Sequence, residues 1–258
     1  MEFVQFESEN NIGFITINRP DKRNALNYQV VSELKEAFSK ASEDNSVKVI
    51  IFKANGKAFC AGADLAYLQQ LQANTYEENL EDSSHLKELF YQIYTLNKVV
   101  IAQVHGHAIA GGCGLATVCD FSFTVPEAKF GYTEVRIGFI PAIVKVFLLR
   151  KIGEAKAKQL LLTGELISAQ EAAALSLVND IVAPDQLESH VLNFAQMLVD
   201  KNSGQSMAFT KQMIADVQAM SLEEGLQYAA EMNAKARASA DCQKGIASFL
   251  NKEEIKWQ

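Results

Sequence analysis

The segment from Val99 to Asp120, VVIAQVHGHAIAGGCGLATVCD, restricts the possible folds more than any other part of the chain. It opens with Val99-Val100-Ile101-Ala102-Gln103-Val104, a short apolar run rich in β-branched residues that reads as a buried strand. The chain then turns through Gly106 and Gly111-Gly112 and resumes as a small-residue helix, Leu115-Ala116-Thr117-Val118. Glycines let another molecule approach the backbone, and the first helical N–H groups have no partners inside the helix. Those free donors, with the positive end of the helix dipole, suit a negative oxygen. Tight helix–strand packing selects glycine too, so this segment alone leaves the two readings equal.

The flanking sequence supplies the sheet. Phe3–Phe6 and Gly13–Ile17 read as strands around the polar turn Glu9-Asn10-Asn11. Asn27 is placed to cap a helix whose apolar face is Val30, Val31, Leu34, Ala37, Phe38 and Ala41. Val47–Phe52 is the next buried strand, and this alternation predicts a parallel sheet with crossover helices. Residues 67–88 form the least regular stretch, expected to be a mobile lid, with a helix from Leu86 to Leu96. Phe121–Val125 reads as a strand, Ala128–Gly131 as a short extended piece, and Tyr132–Pro141 as a loop or single helical turn before a helix from Ile143 to Arg150. Beyond it helical periodicity repeats to the end, with Leu177–Val182 the one strand-like exception. The expected architecture is α/β, a core over 1–195 followed by a helical region over 196–258.

A net charge of −7 with no basic run argues against a nucleic-acid partner. No apolar run reaches membrane-spanning length, and no targeting segment is recognisable. Cys60, Cys113, Cys119 and Cys242 lack CxxC spacing or a disulfide framework, which fits a cytoplasmic protein. No cluster has metal-ligand spacing, so no metal is expected, and neither glycine loop is GxGxxG or a P-loop.

Several motifs occur in one order: Asn18-Arg19-Pro20 with Asn24-Ala25-Leu26, then Phe59-Cys60-Ala61-Gly62-Ala63-Asp64-Leu65, then Gly106 through Cys119-Asp120. Phe130-Gly131, Glu134 and Gly138 with Ile140-Pro141 follow, then Leu162-Thr163-Gly164, Ile167–Ala172 and Leu177-Val178. Taken together, they make the chain resemble the enoyl-CoA hydratase/isomerase (crotonase) family along its whole length. The resemblance implies a ββα spiral core with a helical C-terminal oligomerisation region, assembled as a homotrimer or dimer of trimers. It implies an acyl-CoA thioester as substrate, with coenzyme A entering as part of that substrate and no other cofactor.

By position, the resemblance assigns the main-chain N–H groups of Ala61 and Gly111 to an oxyanion hole for the thioester oxygen. Each such donor is typically worth on the order of 3 kcal/mol of barrier. Glu134 is assigned proton exchange at the carbon beside the thioester, with Phe130, Tyr132 and Ile137 placed to desolvate its carboxyl. A surface glutamate paired with Arg136 or Lys129 is the structural alternative. Lys22, Ala25 and Leu26 resemble the nucleotide-holding loop. The main chain at Ala63, Asp64 and Leu65 would flank the adenine, and Gly112 and Pro141 would line the substrate. Phe249 and Lys252 match residues that in relatives reach the CoA of a neighbouring subunit.

One position departs from the pattern. Two-glutamate hydratases have their second, water-orienting carboxylate where this chain has Gly114. The run Glu134–Ala142 looks more like the methylglutaconyl-CoA hydratase-like branch, where a carboxylated acyl group could itself assist. Hydration, double-bond isomerisation on Glu134 alone, and a non-catalytic CoA-binding scaffold are therefore the three readings, in that order. His107 and His85 are further candidates for the acyl pocket, and packed roles are the commoner fate of such residues.

Overall fold

The computed structural model describes residues 1–255 and Trp257. Two sheets share the chain's strands in turn. The larger contains β1 (Val4–Glu9), β2 (Ile12–Ile17), β3 (Val49–Ala54), β5 (Val99–Val104), β7 (Phe121–Thr124) and β10 (Asp180–Ile181), in that spatial order. The smaller runs β4 (Ala58–Cys60), β6 (His107–Ile109), β8 (Lys129–Gly131), β9 (Ile167–Ser168). β1 is antiparallel to β2 and β9 to β8, and every other pairing is parallel. Each of β3, β5 and β7 is followed by a short strand in the second sheet and then by helix, so the chain advances as a spiral of strand, strand, helix.

The elements form where side-chain patterning demands. Helix α1 (Tyr28–Glu43) begins at Asn27, whose side chain accepts from the Val30 N–H, and its six predicted apolar positions are all buried. Buried Glu33 on the same helix accepts from the Phe3 and Val4 N–H groups at 2.7 and 3.0 Å, satisfying the start of β1. Helix α4 (Gly111–Val118) runs through the core with every residue after the first buried. At its C-terminal end Lys151, on α5 (Val144–Ile152), donates from Nζ to the Thr117 and Cys119 carbonyls, both at 3.0 Å. A half-buried cation at that pole answers both the unpaired carbonyls and the dipole.

Residues 67–88 differ from expectation. They carry α2 (Leu65–Leu71) and the first half of α3 (Tyr76–Thr95), which starts ten residues before Leu86. The missed signal is a capping box, Thr75 with Glu78, at the head of a turn sequence too polar to show an apolar stripe. Strand β10 covers only two residues of the predicted Leu177–Val182 segment. After α6 (Glu154–Thr163) and α7 (Ala169–Ala174), α8 (Leu187–Lys201) runs uninterrupted across position 195. The last helices are α9 (Gly204–Val217), α10 (Leu222–Arg237) and α11 (Ala240–Asn251). Lys211 of α9 fastens them to the core. Its Nζ lies 2.7 Å from Asp120 Oδ2 and donates to the Ile93 and Lys98 carbonyls at 3.0 Å, while Asp120 also accepts from the Val100 N–H.

Candidate active site

Three loops meet at the N-terminal end of α4. The first, residues 18–27, is held by buried Asn24, which adopts φ 56°. Its Nδ2 donates to the Asn55 and Ala58 carbonyls, both at 2.8 Å, and its Oδ1 accepts from the Arg19 N–H at 2.9 Å. Asparagine tolerates this left-handed conformation, and its amide replaces the ladder partners the loop lacks. The loop delivers Leu26, which clasps the second loop. Leu26 N–H donates to the Gly62 carbonyl at 2.7 Å, and its carbonyl accepts from the Asp64 N–H at 2.8 Å.

The second loop presses onto the third. Gly62 has φ +90°, and a Cβ there would lie 2.9 Å from Ala110 Cβ and 3.6 Å from the Gly111 nitrogen. Ala110, immediately before α4, is held at φ 51°, ψ −122°, a strained conformation for an L-residue that costs about 1–3 kcal/mol. The kink is fixed because the Ala110 N–H donates to the Gly131 carbonyl at 2.7 Å and its carbonyl accepts from Gly114 N–H at 3.0 Å. It turns the Gly111 N–H out of the β6 ladder. Gly112 must lack a side chain, since a Cβ there would meet the Cys60 carbonyl oxygen at 2.2 Å.

Among the described residues, neither the Ala63 nor the Gly111 N–H has an acceptor in the protein, although their loops touch. Ala61 does not share that property. Its N–H donates to the Arg23 carbonyl at 3.0 Å, so the expected pairing of Ala61 with Gly111 is corrected to Ala63 with Gly111. Both alanines sit in a short glycine-centred motif, and only the path of the first loop's carbonyls distinguishes them. Asp64 is tied into the surrounding loops. Its N–H and carbonyl are bonded to Leu26 and Leu68, and its side chain caps α2 at Ala66 N–H and pairs with Arg19 Nη1 at 2.7 Å. Burial pushes its carboxyl up, but the Arg19 guanidinium and the Ala66 N–H outweigh this and hold it below its ordinary value. It organises the loop.

Glu134 opens a single 3-10 turn, Glu134–Ile137, closed by Gly138 in the left-handed conformation. Burial raises its carboxyl above the ordinary range, and Oε2 is buried without a hydrogen-bond partner. The salt bridges found among the described residues do not include it, so the surface-pair alternative with Arg136 or Lys129 is not realised. An unpartnered, desolvated carboxyl is what proton transfer to carbon requires. Phe130 and Tyr132 are fully buried, as expected, whereas Ile137 is 67% exposed. Tyr132 Oη bonds Thr117 Oγ1 at 2.8 Å, and burial followed by nearby charge pushes its phenol well up. Burial also moves the Cys113 thiol up to about 11, so it is no nucleophile.

Beside this site, the space next to Gly114 is closed. A Cβ there would meet Val144 Cγ1 at 2.3 Å and Phe90 Cε1 at 2.9 Å, both side chains buried. Where a second carboxylate would stand, this chain has an apolar wall.

The remaining predicted residues lie as follows. Ala25 and Leu26 are buried in the first loop, with Lys22 exposed on it. Leu65 opens α2 with its side chain exposed, and buried Pro141 precedes α5, its carbonyl accepting from Lys145 N–H at 3.2 Å. Phe249 and Lys252 are exposed at the end of α11. His85 is absorbed between α1 and α3. Its ring stacks on Tyr28 at 4.1 Å, with Ser32 Oγ 3.0 Å from Nε2 and Lys35 Nζ 3.2 Å from Nδ1. His107 Nδ1 accepts from the Lys129 N–H at 3.1 Å, an edge contact of the small sheet.

Two unbonded amides on adjoining loops and a dry carboxyl on the 3-10 turn Glu134–Ile137 are the groups this region offers to an acyl oxygen and its neighbouring carbon. Residues 7–258 match the family model described as Enoyl-CoA hydratase/isomerase, and the chain belongs to that family. A Thermus thermophilus protein whose name assigns it to the enoyl-CoA hydratases is 41% identical over 249 residues, covering 96% of this chain and 98% of its own. The 2,3-dehydroadipyl-CoA hydratase of Escherichia coli is 31% identical, covering 92% and 91%. The crystal structure of an enoyl-CoA hydratase/isomerase from Marinobacter aquaeolei superposes with a TM-score of 0.92 at 32% identity, covering 100% and 99%.

Proposed function

We propose that the protein adds water to, or removes it from, an enoyl-CoA thioester, using Ala63 and Gly111 N–H as the oxyanion hole and Glu134 as the proton carrier. The observation that carries this is the pair of unbonded amides from two touching loops, together with a desolvated, unpartnered carboxyl within electrostatic reach of Cys113, two residues past Gly111. In the hydration direction, the water oxygen forms a bond to the β-carbon and the π-electrons move onto the thioester oxygen, where the two amides meet the charge. Glu134 passes a proton to the α-carbon as the enolate collapses and regains one from the attacking water. One carboxyl then serves both ends of the step, consistent with the apolar wall at Gly114.

The finer reading is a short branched or carboxylated enoyl-CoA such as methylglutaconyl-CoA, whose own carboxylate would help orient the water. The resemblance of the Glu134–Ala142 run supports it. A second reading is double-bond isomerisation, favoured by that same wall, since one base suffices to move a proton between two carbons. Incubation with crotonyl-CoA and with branched and carboxylated enoyl-CoAs, followed by mass spectrometry, separates them. Hydration adds the mass of one water and isomerisation leaves the mass unchanged. No turnover of any of them would refute both.

Exposed Leu222, Leu226, Phe249 and Leu250 on α10 and α11 support assembly as a homotrimer or dimer of trimers. Light scattering on the purified protein tests the assembly, and a monomer would exclude it.

A further inference from the structure

Helix α2 poses a mechanical problem. It starts at Leu65, two residues after the Ala63 amide, and none of its seven residues is buried. A helix without core packing has little to fix its position. Its first turn is pinned through Asp64 to Arg19. Farther along, its tie to the rest of the fold is Tyr67, whose hydroxyl donates to the Asp82 carboxylate of α3.

That partner is firmly placed. Three residues after Asp82, the His85 ring stacks on Tyr28 and meets Ser32 and Lys35 of α1. Lys35 Nζ pairs with Glu88 at 2.6 Å, and Gln92 Nε2 donates to the Lys35 carbonyl and Ser39 Oγ. α3 is thus bolted to α1 along the stretch that presents Asp82, and α1 begins directly after the Leu26 clasp. The three helices close a frame around the second loop.

We propose that the Tyr67–Asp82 hydrogen bond is a positioning contact for the oxyanion hole, holding α2 and with it the Ala63 amide at the distance the enolate oxygen requires. Tyr67 and Asp82 touch neither substrate nor reacting atoms in this role. It presupposes the Ala63 and Gly111 site proposed above. A misplacement of about 1 Å in such a group costs on the order of a hundredfold in rate.

The test compares Tyr67→Phe, Asp82→Ala, Asp82→Asn and Glu134→Gln, using crotonyl-CoA turnover and an aryl-substituted enoyl-CoA whose absorption reddens as its thioester carbonyl is polarised. Tyr67→Phe and Asp82→Ala are expected to lower kcat about ten- to a hundredfold with little change in KM, and to diminish the red shift. Asp82→Asn, which keeps an oxygen acceptor, should restore both. Glu134→Gln should abolish turnover yet keep the full red shift. Unchanged kcat and red shift in Tyr67→Phe and Asp82→Ala, with Glu134→Gln inactive, would overturn the positioning role and leave the site intact. Full turnover in Glu134→Gln would instead overturn the site. Both α2 and α3 are exposed around this bond, and melting curves by circular dichroism identify any variant that loses the fold. Asp82→Asn failing to rescue a folded Asp82→Ala defect would also count against the hydrogen bond.

Discussion

Gly114→Ala should destabilise this protein, although an alanine in a helix is ordinarily an improvement. Removing a helical glycine is worth about 1 kcal/mol in favour of the fold. Against that, the new Cβ would stand 2.3 Å from Val144 Cγ1 and 2.9 Å from Phe90 Cε1. Apolar carbons rest roughly 3.5–4.0 Å apart, so the nearest contact is short by about 1 Å. Val144 and Phe90 are themselves buried and have no open side to move into. Overpacking of this kind costs about 1–3 kcal/mol. Taking the upper end and subtracting the helical gain leaves a net loss of about 2 kcal/mol, or about 4–8 °C in Tm for a chain this size. Calorimetry measures it directly. Val144→Ala removes the worst contact, so the double variant should be more stable than the sum of the singles implies, by about 1 kcal/mol or more. Gly114→Glu, even if folded, should not raise hydration, because its carboxylate would be driven into the same wall. A Tm increase for Gly114→Ala, with additive behaviour alongside Val144→Ala, would refute the steric reasoning.

Glu134→Gln should cost about a hundredfold to ten-thousandfold in kcat, and also raise stability at neutral pH. Burial lifts the folded-state carboxyl above its unfolded value, so the fold favours the protonated form and loses stability as pH rises through the raised value. The glutamine variant's Tm advantage should therefore shrink as pH falls through the raised value toward the ordinary carboxylate range, and an advantage independent of pH would contradict this. For the same reason, the protonated Glu134 that donates to the α-carbon should persist to a higher pH than an ordinary carboxylic acid would, as read from the alkaline limb of kcat/KM for hydration against pH. Lys211→Ala leaves the Asp120 carboxylate unpaired and should cost about 3 kcal/mol; urea unfolding with less than a third of that loss would argue against the fastening role. Burial holds the Cys60, Cys113 and Cys119 thiols at about 12, 11 and 12, so alkylation of the native protein should label Cys242 first, as peptide mass mapping would reveal.

Much of this arrangement is legible in the residues themselves. The β-branched run at Val99, the apolar stripe of α1 and the Asn27 cap each announce a local structure that tertiary packing then accepts. Glu134 and Gly111 enter through motif order, and the structure leaves the Glu134 carboxyl buried without a partner and the Gly111 amide unbonded. The Ala61 assignment fails for a reason no local pattern contains: which of two alanines keeps a free amide depends on where the Arg23 carbonyl falls, nearly forty residues upstream in the chain. The α2–α3 region fails differently, because charged and polar helices leave no apolar periodicity and reveal themselves only through the Thr75–Glu78 cap. The strain at Ala110 is invisible for a third reason, since nothing in an Ile-Ala-Gly sequence demands a positive φ there. It exists because the Gly131 carbonyl, on a strand formed later in the chain, holds it.

The Lys211–Asp120 fastening has a practical consequence for anyone redesigning the chain. The rod whose tip carries the Gly111 amide is anchored at its base by a residue of α9, so deletion of α10 and α11 and deletion of α9 are different operations. Trimming that stops short of Lys211 spares the anchor, whereas a cut before it strips a counter-ion from the protein interior and leaves the Ile93 and Lys98 carbonyls to water.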